Sequence, residues 1–163
     1  MHANDILKYG HLTLVGALET IPPAQWQTPD VCGVWSVKDI VAHLASYELV
    51  LTDILNSFLD GGATPMLDLF TQESGHFNDD QVAQRRPHSP TEVLDEYKDA
   101  AARNAVLIAR IPAETCRRAG ALPWYGAEYD LDDFLVYTFY GHKREHAAQI
   151  HVFKDELARA VKG

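Results

Sequence analysis

Between about Asn4 and Thr20, apolar residues recur at helical spacing: Ile6, Leu7, Leu14, Val15 and Leu18. Pro22 and Pro23 end that segment, because proline lacks the amide hydrogen that a helix interior uses. "PPAQWQTPDVCGVW" then reads as a connection. Ser36 is a natural cap for a second helix, with Asp39 three residues on. The apolar period of "VKDIVAHLASYELVLTDILNSFL" runs on until Gly61 and Gly62 stop it. Residues 62–88 are less regular, and "FNDDQVAQRR" predicts one short helix there. Ser89 as cap, Pro90 at the first helical position and Glu92 at the third start another helix, which reaches about Ile111 before Pro112. "PAETCRRAGALPWYGAEYD" is rich in loop signals. Asp130 or a neighbour caps a last long helix, running to about Ala160. There is no alternating strand pattern and no internal repeat. Four long helices in 163 residues predict an all-α fold, a four-helix bundle with a short extra helix in the 62–88 connection.

Composition narrows the picture further. The chain is long enough for one domain spanning 1–163 with a real core, and 47% apolar residues argue against disorder. A formal net charge of −9 repels phosphate backbones and anionic membrane surfaces, so neither nucleic acid nor membrane is expected as a partner. Cys32 and Cys116 form no CxxC and no disulfide framework, and read as thiols in a reducing compartment. "MHANDILKYG" has no secretory character and no span is long enough to cross a bilayer, so the expected location is cytoplasmic.

The chemistry concentrates in "GHKREHAAQIH", residues 141–151. On a helix with His142 at 0°, His146 falls at about 40°, amid Leu135, Phe139, Ile150 and Phe153. His151 falls at about 180°, on the opposite face with Tyr140 not far off. His142 and His146 therefore point inward together. On the second helix His43 lies near the edge of the stripe marked by Ile40, Tyr47, Val50 and Ile54. Each histidine alone fits a hydrogen-bonded core or surface residue. Together they fit an open metal site of three neutral imidazoles plus water, with facing helices supplying the ligands.

"WSVKDIVAHLASYE" (35–48) followed by "YGHKREHAAQI" (140–150) resembles the DinB/YfiT-like superfamily, as do residues 77–111 and the "LPWYG" loop at 122–126. The resemblance spans nearly the whole chain. It implies a four-helix bundle holding a divalent metal, zinc or nickel foremost, on positions that map to His43, His142 and His146. It also implies activity on a small-molecule substrate, either hydrolysis or thiol-dependent transfer or isomerisation with a low-molecular-weight thiol as cosubstrate. Homodimers are common in the family.

Other motifs compete. "HKREH" is literally H-x-x-E-H, with Glu145 as base, but only 17 residues follow His146, too few for a protease scaffold with a further downstream ligand. "ESGH" at 73–76 is a single E-x-x-H beside a glycine and cannot build a di-iron centre. His76 and His88 read as loop residues, and Trp35 as packing at the start of the second helix. Trp124 and Tyr125 are placed to wall a pocket or to pack the core. "QRR" at 84–86 is either a solvated helix end or a contact for an anionic substrate. Glu145, on the flank of the histidine face, reads as a solvated or salt-bridged residue or as a proton-transfer group, and Tyr47, one turn after His43, as buried packing or as a group that reaches the metal-bound water. Two functions follow: a metal-dependent enzyme using activated water or thiol, or a metal-containing ligand-binding or stress-response module without turnover.

Overall fold

The computed structural model describes residues 2–162. Eight α-helical segments run in order: α1 (Ala3–Leu18), α2 (Val37–Leu59), α3 (Pro65–Gln72), α4 (Phe77–Gln84), α5 (Pro90–Ile108), α6 (Ala113–Cys116), α7 (Leu131–Leu135) and α8 (His142–Ala160). A single turn at Pro23–Gln25 follows α1, and a π-helical stretch, Val136–Gly141, joins α7 to α8. The four long rods of the bundle are α1, α2, α5 and the composite α7–π–α8. No strand occurs among the described residues, only an isolated bridge between Cys32 and Trp35.

The helix starts follow from local hydrogen bonding. The Asp39 amide donates to Ser36 Oγ (3.2 Å), and the Ser36 amide donates back to Asp39 Oδ2 (3.0 Å). Ser89 with Glu92 and Asp130 with Asp133 repeat the reciprocal pattern. Gly61 adopts φ of 70° just past α2, the left-handed cap that only glycine adopts at little cost.

The 62–88 connection holds two helices, α3 and α4, where the sequence pattern predicts one. The additional helix depends on a distant partner: Asp53 of α2 accepts hydrogen bonds from the Met66 and Leu67 amides at 2.7 and 3.1 Å. Those amides at the first turn of α3 are satisfied from outside the local sequence. Arg85 is buried and forms a two-point ion pair with Glu96, at 2.8 and 2.7 Å. It ties α4 to α5, so Arg85 is a brace, while Gln84 and Arg86 are exposed.

Helix α2 is the central rod, with residues such as Ile40, Leu44, Leu51 and Ile54 almost wholly buried. Gly10 lets α1 lie directly on the π stretch. A side chain there would sit 2.9 Å from the Phe139 carbonyl oxygen and 3.2 Å from Tyr140 Cα. Among the described residues, no helix is long and apolar enough to cross a membrane.

Candidate metal centre

His43 on α2 and His142 and His146 on α8 converge as their spacing predicts. Their ligand nitrogens all lie within 4.8 Å of one another. His142 Nε2 is 3.0 Å from His43 Nε2 and 2.9 Å from His146 Nε2. His43 and His146 are buried and His142 is half-buried. His151 is exposed, on the outer face, as expected.

The orientation of each ring has its own cause. His146 Nδ1 lies 2.8 Å from Gln149 Oε1; the amide oxygen only accepts, so Nδ1 carries the hydrogen and Nε2 is bare. His142 is set by the π stretch. Its amide donates to the Tyr137 carbonyl, five residues back instead of four. The wider turn leaves the Thr138 carbonyl as the acceptor nearest in chain to the His142 imidazole, and its pull favours a hydrogen on that ring. Since Nε2 faces the other rings, that hydrogen is on Nδ1, and His142 Nε2 is bare as well. His43 Nδ1 is buried without a partner.

Two bare imidazole nitrogens 2.9 Å apart repel each other unless a cation lies between them. The donor set therefore fits a divalent ion: three imidazoles, two of them locked in the ligating tautomer by acceptors behind them. The electrostatics agree. Burial, then the neighbouring His142 and His146, hold His43 down to about 2. Burial, then His146, hold His142 down to about 4. Burial also lowers His146, against the opposing effect of Gln149. All three rings are neutral at pH 7 and available as ligands.

These shifts set a pH dependence for the metal-stripped protein. Folded imidazoles with depressed pKa bind fewer protons than unfolded ones near 6.5, so their contribution to stability is present above about pH 6.5 and is lost as pH falls towards about 4 and below. Each group contributes a slope of up to ~1.4 kcal/mol per pH unit in that window. Denaturant midpoints in chelator should drop from pH 7 to pH 5, and less steeply in His142→Ala. A flat profile would show that the rings are not held neutral.

An aromatic wall surrounds the triad. The Tyr47 ring meets His43 and His142 at centroid distances of 4.7 and 5.0 Å, and Trp35 meets His43 at 5.0 Å. Phe70 of α3 covers Tyr47 and reaches Trp124. Trp124 thus takes part in the wall, while Tyr125 packs on Phe134. Burial raises the Tyr47 hydroxyl above its usual value, so it stays protonated at pH 7 and is a hydrogen donor. Glu145 is exposed, and its negative charge acts on His146.

Periodicity alone did not assign the polar core behind the triad. Lys143 and Glu48 are 2% and 1% exposed and form an ion pair. Asn104 donates to Glu48 Oε2 (2.7 Å) and to the Glu48 carbonyl (2.8 Å), and Thr52 Oγ1 donates to Asn104 Oδ1 (2.7 Å). Burial acts to lower Lys143, but the Glu48 charge, Tyr97 and the hydrogen bond to Glu48 outweigh it, and the net shift is upward. A signal was present: Lys143 falls at about 100° on the α8 wheel, beside the buried Ile150.

The sequence model of the DinB superfamily matches residues 10–150. This chain belongs to the DinB superfamily. No curated protein matches it. Among solved structures, the chain is similar to the colibactin self-resistance protein ClbS in complex with a dsDNA. That match has 14% identity and a TM-score of 0.68, and covers 91% of each chain, so what the two share is the fold.

The ClbS complex corrects one expectation. Nucleic acid was excluded as a partner on the strength of the net charge of −9, yet a protein of this fold stands in complex with dsDNA. Net charge sums over the whole surface, whereas phosphate contact is made by a local patch. The exclusion does not hold for this DinB-superfamily chain.

Proposed function

We propose that this protein is a metal-dependent enzyme acting on a small molecule, with His43, His142 and His146 holding one divalent ion, zinc or nickel. The observation that supports this reading most is the pair of bare Nε2 atoms on His142 and His146, 2.9 Å apart and each backed by an acceptor. When bound, such an ion lowers the pKa of water or of a low-molecular-weight thiol and so supplies a nucleophile for hydrolysis or for thiol transfer. The chain's own residues do the rest. Gln149 and the Thr138 carbonyl fix the ligand rings. Tyr47, neutral and beside both helices' histidines, donates a hydrogen bond to the substrate. Glu145, on the solvent side of His146, receives the proton released from water or thiol. Trp35, Phe70 and Trp124 exclude bulk water from one side. A cytoplasmic location agrees with two cysteines left as free thiols.

The test is turnover by untagged protein against a panel of hydrolysable esters and of thiol plus electrophile pairs. Activity should saturate, vanish on chelation and return when zinc or nickel is restored. Full activity in the stripped protein on the same substrate would overturn the reading. A second reading is favoured by the dsDNA in the ClbS structure: a metal-containing binding module without turnover, with nucleic acid as partner. Salt-dependent binding of duplex DNA, in a protein that turns over no panel member, would support that one.

A further inference from the structure

Away from the triad, a groove runs between α1 and α5. It opens as a cavity of about 480 Å³, within the range of small-molecule sites. The groove is open because α5 presents alanines, Ala101, Ala102 and Ala105, where larger residues would close on α1. Leu7 and Leu12 of α1 complete an apolar trough. Its charged lining is one-sided: Lys8, Lys98 and Lys143 against Glu48 alone. Lys143 and Glu48 neutralise each other at the floor. Neither Lys8 nor Lys98 forms an ion pair among the described residues. The acids of the adjoining turns, Asp5, Asp95 and Asp99, do not line the cavity. A neighbouring hollow bordered by Val15, Leu94 and Trp26 sets Glu19 beside Lys98 and lacks this imbalance.

The hydrogen-bond polarity in the groove points the same way. The Lys143 ammonium bonds Glu48, and its positive charge lies close to Tyr97, 5.3 Å from the ring centroid. A hydroxyl turns its oxygen towards a nearby cation and its hydrogen away, so Tyr97 donates to His11 Nδ1, 3.1 Å away. His11 Nδ1 being an acceptor, the hydrogen of that neutral ring resides on Nε2. His11 lines the groove, so the ring nitrogen left for a ligand is a donor. Two unpaired ammonium groups and one N–H donor beside an apolar trough are complementary to an anion with an apolar tail.

We propose that the α1–α5 groove is a binding site for an amphipathic carboxylate, its head group on Lys8, Lys98 and His11 Nε2–H and its tail on Leu7, Leu12 and the α5 alanines. This site is separate from the metal centre, and neither proposal depends on the other.

Titration calorimetry with octanoate, octanol and octylamine tests it, using the full chain in chelator so that no carboxylate can bind a metal. Octanoate should bind saturably, with about one molecule per chain, and more tightly than octanol or octylamine. Lys98→Glu should weaken octanoate by about tenfold or more, through loss of a charge-assisted contact. Ala102→Trp fills the trough from an exposed position and should abolish binding, with circular dichroism unchanged. His142→Ala should bind octanoate as wild type does. Equal affinity for all three probes, unaltered binding in Ala102→Trp, or no saturable binding of octanoate would each overturn the proposal.

Discussion

His142→Ala is expected to lower divalent-metal affinity by more than ~100-fold, and His151→Ala to leave it unchanged. The two residues share one helix and one chemistry but not one face: His142 Nε2 lies about 3 Å from both other ligands, while His151 is exposed. Loss of an outer hydrogen-bond partner alone typically costs about 10–100-fold, so loss of a ligand should exceed that. Gln149→Ala should fall between the two, because it frees His146 to rotate and to change tautomer while leaving three imidazoles in place. Metal content after dialysis against a competing chelator, measured by elemental analysis, reads all three variants. Equal losses in His142→Ala and His151→Ala would mean that metal binds by surface histidines and not at the triad.

Glu48→Ala should produce the largest change in stability, about 3–5 kcal/mol, from removal of one member of a buried ion pair. It strands Lys143, which is 2% exposed, inside the bundle, and takes the Oε2 acceptor from Asn104. Against a typical total of about 5–15 kcal/mol, that loss brings the protein close to unfolding. The double variant Glu48→Met with Lys143→Met should recover most of the deficit, because neither charge is then buried alone. Asn104 would keep its bond to the backbone carbonyl of residue 48. Chemical denaturation of the single and double variants checks this. A double variant no more stable than Glu48→Ala would place the deficit in packing and not in the stranded charge.

Much of this protein is decided within a turn or two of chain, and that part was legible in the sequence. Ser36 with Asp39, Ser89 with Glu92 and Asp130 with Asp133 cap their helices with partners three residues away. The relation of His142 to His146 is equally local. The π stretch spoils angle counting between Leu135 and Gly141 and leaves Tyr140 half-buried, not on the opposite face, but both histidines lie beyond it, so their common face survives. What the sequence alone did not decide depends on which helices meet. His43 joins His142 across 99 residues: the helical faces and the family resemblance both pointed to the pairing, but only the packing of α2 against α8 makes the contact. Asp53 starts α3 from a neighbouring rod, Glu48 and Asn104 satisfy each other and Lys143 across the core, and the Thr138 carbonyl is left nearest the His142 ring by a π turn that no propensity signals. The physical reason is common to all of these. A backbone group or charge with a partner nearby in sequence takes it wherever the chain goes, whereas a buried lysine or an orphan carbonyl finds its partner only once packing has brought distant elements together.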